Sequence, residues 1–207
     1  MKYLNFKKIV LGFAMMVLVM GTFVACGNNG EGGTDKDEVK LLSEDELDGV
    51  TFKRGDVFAD MSVTTPDGTT YKISELLKEK KAVVLNFWFI NCGPCEMEFP
   101  YMQDAYETYQ EDLEILAVNP YDGTDETVAD YQKKHELTFP MASIDEEWAQ
   151  YMGIQAYPTT VVIDRYGIVS FMHTGMITEV EEFNKLFEFF TADDYEQTVI
   201  RNISDIE

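Results

Sequence analysis

The chain has 207 residues, of which 45% are hydrophobic and 13% aromatic, enough to bury a core and to exclude wholesale disorder. Its 16 basic and 38 acidic residues give a formal net charge of −22, which excludes nucleic acid as a partner. This charge favours basic partners, or it serves solubility alone.

The N-terminal residues have the layout of a targeting segment. Three lysines, at positions 2, 7 and 8, precede an apolar run over 9–24. This run is shorter than the ~20 residues of a bilayer span and fits a signal-peptide core. An uncleaved anchor helix is the alternative. The run ends in Phe23-Val24-Ala25-Cys26-Gly27, which resembles the lipobox of bacterial lipoproteins. The resemblance implies a signal peptide over 1–25 and a lipidated Cys26 that anchors the chain to a membrane.

The remaining elements follow in chain order. Residues 26–50 begin with Cys26 and are predicted to form a flexible tether, because 27–38 is rich in Gly, Asn and Asp. Turn residues Pro66-Asp67-Gly68 predict a hairpin with strands over 56–65 and 69–73, and Ser74 is expected to cap a helix over 75–80. Apolar patterning predicts strands over 82–89, 113–119, 159–164 and 168–173 and helices over 95–110, 125–135, 146–152 and 178–190.

Strands that alternate with helices predict an α/β domain over 51–191, with a central mixed sheet flanked by helices. The hairpin precedes this sheet as an N-terminal extension. The acidic tail over 192–207 has no clear pattern, and its structure is left unassigned.

The chemistry is carried by the Cys92-Gly93-Pro94-Cys95 motif, which follows a buried strand and opens a helix. Free N–H groups and the helix dipole at such a position stabilise a thiolate, so Cys92 is predicted to attack a disulfide and Cys95 to resolve the mixed disulfide. Zinc is disfavoured, because a four-ligand site would have to recruit both His135 and His173 from distant elements. A structural disulfide without a redox role is the alternative.

The segment Asn86-Phe87-Trp88 followed by Cys92-Gly93-Pro94-Cys95-Glu96-Met97-Glu98-Phe99-Pro100 resembles the active site of thioredoxin-like proteins, most of all the TlpA/ResA branch of membrane-tethered thiol–disulfide oxidoreductases. Ala156-Tyr157-Pro158-Thr159-Thr160 resembles the cis-proline loop of that family. The resemblance covers roughly residues 55–190 and implies the thioredoxin fold, with no cofactor. Asn91 departs from the family, because many relatives carry Trp there.

The resemblance also implies roles for single residues. Cys92, Cys95 and Glu98 are the implied catalytic residues, and Glu98 would move a proton or raise thiol pKa values by charge repulsion. For Glu98 the alternative is a solvated helix position, and for Trp88 it is core packing. The residues implied in substrate binding are Trp88, Asn91, Gly93, Pro94, Tyr157 and Pro158.

These residues favour one function over three alternatives. We expect a lipid-anchored reductant at the extracytoplasmic face of the membrane, acting on exported disulfide proteins such as apocytochrome c and supplied with electrons by a membrane donor of the CcdA/DsbD type. A disulfide oxidase or isomerase is the first alternative, although 113–158 shows no helical insertion of the DsbA kind. A peroxidase lacks its T-x-x-C setting and a nearby Arg. A binding module with a structural C-x-x-C is the non-enzymatic alternative.

Overall fold

The computed structural model describes residues 39–206, and the strands of this part of the chain form two sheets. Strands β1 (Ser62–Thr64) and β2 (Thr70–Lys72) pair antiparallel, which confirms the predicted hairpin. The central sheet contains β3 (Ala82–Phe87), β4 (Leu113–Asn119), β5 (Met141–Ser143), β6 (Thr159–Asp164) and β7 (Val169–Thr174). Its order is β5-β4-β3-β6-β7, with β3, β4 and β5 parallel and with β6 antiparallel to both β3 and β7.

The helices are α1 (Ile73–Glu79), α2 (Gly93–Tyr109), α3 (Asp125–Lys134), α4 (Glu146–Tyr151) and α5 (Val180–Thr191). They cover both faces of the sheet, so every residue of β3 and β4 is buried. Alternate β3 side chains enter two apolar clusters: Ala82 and Val84 pack with α2 and α5, and Val83 and Leu85 pack with α1. The predicted mixed α/β fold is confirmed.

Two local expectations differ from the structure. Ser74 is not the capping residue of α1, because it lies inside the first turn of the helix. Its backbone N–H and its hydroxyl donate to the Asp60 carboxylate at 2.9 and 3.0 Å. Strand β5 was not predicted, because its three residues are too few to show an alternating pattern. It pairs only with β4, at the edge of the sheet.

The segments on either side of the predicted domain pack against it. Leu42 bridges to Ala59, and Leu47 is buried. In the acidic tail, the N–H of Ile200 donates to the carbonyl of Ser170 at 2.9 Å, and the Tyr195 hydroxyl donates to the buried Asp164 carboxylate at 2.8 Å. The tail therefore contributes to the folded unit.

We expect Tyr195→Ala to lower the free energy of unfolding by about 3 kcal/mol or more, because it opens a cavity at a buried aromatic ring and removes a buried hydrogen bond. Urea denaturation measures the change. Val199→Ala in the same tail is the control, since Val199 is 39% exposed and its truncation should cost no more than about 0.5 kcal/mol. Equal effects of the two substitutions would contradict the account of the tail.

The predicted signal peptide, Cys26 and most of the tether lie outside the described residues. Between residues 39 and 206, no helix combines the length and the apolar character that crossing a membrane requires.

Candidate active site

Cys92 and Cys95 form a disulfide at the junction of β3 and α2, with sulfurs 1.96 Å and Cα atoms 5.2 Å apart. Cys92 is the residue that caps α2, and its Sγ accepts a hydrogen bond from the backbone N–H of Cys95 at 3.2 Å. Pro94 lies in the first helical turn, where its missing N–H costs little. The fold thus places the sulfur of Cys92 at the positive end of a 17-residue helix.

Both cysteines of the disulfide are buried, but exposed residues surround them. Cys92 is 2% exposed and Cys95 is fully buried, whereas Asn91, Gly93 and Pro94 are exposed around them. A partner therefore meets the Asn91 side and the Gly93-Pro94 turn before it reaches sulfur. The attacking role of Cys92 and the resolving role of Cys95 stay predictions.

The cis-proline loop lies at the same end of the sheet. Thr159 pairs with Phe87 at the end of β3, so the preceding Pro158 lies close to the start of the active-site segment. The Tyr157–Pro158 peptide bond is cis, as the resemblance implied. Pro158 is buried and its carbonyl accepts the N–H of Gly175 at 2.9 Å, while Tyr157 is half-buried.

Glu98 is a buried carboxyl group, so the solvated helix position considered for it is wrong. Its Oε1 accepts from Asn86 Nδ2 at 2.8 Å, and its Oε2 accepts from the backbone N–H of Ile177 at 2.7 Å. Burial raises the pKa of Glu98 to about 7, and the two hydrogen bonds oppose this rise. A group with this pKa can hold or release a proton near neutral pH.

Asn86 connects Glu98 to the neighbouring strand. Its Nδ2 also donates to Thr160 Oγ1 at 3.2 Å, two residues after the cis-proline. Asn86 Oδ1 is buried without a hydrogen-bond partner among the described residues. A flip of this amide would give a protonated Glu98 an acceptor, so the pair can serve both ionisation states of the carboxyl group.

Trp88 has no exposed surface. Its ring centroid lies 5.6 Å from that of Phe99 and 4.7 Å from that of Tyr131, beneath the disulfide segment. The geometry therefore favours core packing as the role of Trp88. It could affect substrate binding only by supporting the disulfide segment that packs on it.

The structure also brings to the site two residues, Asp122 and Tyr121, that were not among the predicted site residues. Asp122 accepts the backbone N–H of Ile90 at 3.0 Å and the Asn119 side chain at 3.0 Å, which ties the loop after β4 to the segment ahead of Cys92. Tyr121 follows the same strand and is exposed. Their position directly after a buried strand parallel to β3 was the available signal, because such loops meet at one sheet edge.

The two histidines lie apart from this site. His135 stacks on Tyr131 with ring centroids 4.2 Å apart, and His173 lies on β7 beside Phe171. Over the part of the chain that the structure describes, no three His, Cys, Asp or Glu side chains are grouped so that they could hold a metal ion.

Comparisons with known proteins agree with this geometry. A family model described as the AhpC/TSA family matches residues 54–172. The thiol-disulfide oxidoreductase ResA of Halalkalibacterium halodurans is 39% identical over 127 residues, which cover 59% of this chain and 70% of the relative. The thioredoxin-like protein YneN of Bacillus subtilis is 31% identical over 141 residues, covering 66% and 81%.

A solved structure with the same fold is a thiol:disulfide interchange protein of the thioredoxin family from Chlorobium tepidum TLS. It has a TM-score of 0.57 and 25% identity, and the alignment covers 69% of this chain and 100% of that chain. The mixed sheet, the disulfide that opens α2 and the cis-proline loop, together with these relatives, define a thiol–disulfide oxidoreductase with the thioredoxin fold. The chain belongs to the AhpC/TSA family, and its similarity is to the ResA-type members.

Proposed function

We propose that this oxidoreductase is a reductant of exported proteins, held at the extracytoplasmic face of a membrane by a lipid on Cys26. The observation that carries the proposal is the Cys92–Cys95 disulfide at the N-terminus of α2, with the exposed residues Asn91 and Gly93 on either side of Cys92. The N-terminal resemblance to a lipobox supports the location. Candidate substrates are proteins whose cysteines must stay reduced outside the cell, such as apocytochromes c.

The reaction begins with the Cys92 thiolate. It attacks one sulfur of a substrate disulfide, forms a mixed disulfide and releases the other substrate sulfur as a thiolate, which takes up a proton. The Cys95 thiol then loses its proton and attacks the Cys92 sulfur. The second substrate thiol leaves, so the substrate gains two electrons and two protons while Cys92 and Cys95 become a disulfide.

Glu98 is proposed to accept the proton that the Cys95 thiol loses, because it lies three residues further along α2 and has a pKa of about 7. Its hydrogen bonds to Asn86 and Ile177 fix the carboxyl group between β3 and the segment after β7. Tyr157 and Pro158 are proposed to position the substrate backbone, with Asn91, Gly93 and Pro94 as the neighbouring contact surface.

The disulfide must be reduced again after each turnover. A membrane donor of the CcdA/DsbD type would supply the two electrons through its own cysteine pair, by the same exchange chemistry. The donor and the substrate would then meet the same exposed residues beside Cys92, so they would bind in alternation.

The direction of the reaction can be tested with two parallel assays. The reduced protein is mixed with disulfide-bonded insulin, and the oxidised protein is mixed with reduced, unfolded ribonuclease. A reductant should reduce insulin quickly and oxidise ribonuclease slowly, and Cys92→Ser should be inactive in both assays. Faster oxidation of ribonuclease would overturn the proposed direction and favour an oxidase.

A further inference from the structure

Three aromatic side chains form a continuous surface beside the disulfide, which we call the aromatic arc: Tyr121, Phe89 and Tyr157. The Phe89 ring centroid lies 5.7 Å from that of Tyr121 and 5.4 Å from that of Tyr157, edge-on in both cases. Tyr121 is 74% exposed, and the other two rings are half-buried. Adjoining aromatic side chains that reach the surface can form a contact surface for a partner.

The arc lies where a substrate must bind. Phe89 comes three residues before Cys92, and Tyr157 directly precedes the cis-proline. Tyr121 is held nearby because the adjacent Asp122 accepts the backbone N–H of Ile90. A segment that presents a disulfide to Cys92 therefore has aromatic faces and edges along one side.

The chain around the arc is acidic. Glu96, Asp122 and Glu146 are exposed, and burial first, then the negative charge of Glu146 and Asp122, raises the pKa of Tyr157. No lysine or arginine occurs in the segments that contain the residues around the disulfide and the cis-proline, which are 88–98, 119–132, 144–160 and 174–184. Arg54 comes close to the last of them, where it donates to the carbonyl of Met172.

We propose that the aromatic arc and its acidic surroundings select protein segments in which lysine or arginine flanks the target cysteine. A cation over the face of an exposed Tyr is attracted to the electron-rich ring, and nearby carboxylates add attraction that water and salt only partly screen. An acidic surface also speeds the encounter with a basic segment. The inference rests on the proposed reductant function and adds the substrate class that this site takes.

The test uses two synthetic peptides of equal length, each closed by one disulfide, with either arginine or glutamate beside the cysteines. The rate constant for reduction of each peptide is measured with the reduced full-length protein in a non-ionic detergent. We expect the arginine peptide to react about ten-fold faster or more at low ionic strength, with a ratio that falls as salt is added. Tyr121→Ser and Glu146→Gln should each lower this ratio.

Matched controls separate the local surface from the charge of the whole chain. Tyr166→Ser removes another exposed tyrosine, at the far end of β6, and Glu188→Gln removes an exposed carboxylate on α5. The inference predicts that both controls keep the wild-type ratio. It is overturned if the two peptides react equally, if the glutamate peptide is faster, or if site and control variants change the ratio alike. In these cases reduction itself would persist, whereas a protein that reduced neither peptides nor insulin would refute the proposed function instead.

Discussion

Cys95→Ala is expected to turn the protein into a trap that accumulates mixed disulfides with its substrates. Cys92 keeps its place as the residue that caps α2 and can still attack. The resolving sulfur, which is fully buried and within disulfide distance of Cys92, is then missing. Multiple turnover should fall by about 10³-fold or more, as it does when one member of a catalytic unit is removed. Non-reducing gel electrophoresis after acid quenching shows the trapped species.

Cys92→Ser is the matched control, because it removes the sulfur that is predicted to attack and leaves the one that is predicted to resolve. It should lose turnover to a similar extent and trap nothing. If Cys92→Ser trapped substrates as well as Cys95→Ala does, Cys95 would be able to attack, and the assignment of the two roles would be wrong.

Glu98→Gln is expected to change how stability depends on pH. The pKa of Glu98 is about 7 in the folded protein and near 4.5 in the unfolded chain, so between these pH values the native state holds a proton that the unfolded chain has lost. Stability from this group is therefore fully present below pH 4.5 and lost as pH rises through 7. Gln stays neutral at every pH. The free energy of unfolding of the variant should therefore rise relative to that of the wild type between pH 5 and 8, by at most about 3 kcal/mol.

Urea denaturation at several pH values measures this difference. Glu96→Gln is the control, because it makes the same change of side chain at an exposed position on the same helix. Glu98→Ala should instead destabilise the fold at every pH, since the Asn86 amide and the Ile177 N–H lose their shared acceptor. Parallel pH curves for wild type and Glu98→Gln would contradict a raised pKa.

The same substitution should alter catalysis if Glu98 moves the Cys95 proton. We expect the rate of resolution to lose its inflection near pH 7 in Glu98→Gln, while the attack of Cys92 on substrate is less affected. Single-turnover kinetics separate these two steps.

Patterns of local sequence were sufficient for most of the fold. The strands β4 and β6 begin and end where they were predicted, because each is buried on both faces along its whole length and is therefore rich in apolar residues. The helix α2 begins at Gly93 rather than at residue 95, since Cys92 itself caps it. The short edge strand β5 could not be predicted, because its position depends on pairing with β4.

The site was predictable where one motif holds the chemistry, and less so where distant segments meet. The Cys92–Cys95 pair and the cis-proline each lie within a few residues of sequence. Burial of Glu98, by contrast, depends on Asn86 and on Ile177, which lies 79 residues away. The contact between Ile90 and Asp122 likewise joins two loops across parallel strands, which no local pattern specifies.

The reduction potential of the Cys92–Cys95 pair tests the central claim most directly. The oxidised protein is equilibrated in defined thiol–disulfide buffers, and the fraction of reduced cysteines is measured by alkylation, with Cys92→Ser as the control. A reductant supplied by a membrane donor predicts a potential well below about −200 mV, toward the ~−270 mV of thioredoxin. A value near ~−120 mV, the range of a strong oxidant, would contradict the proposed direction.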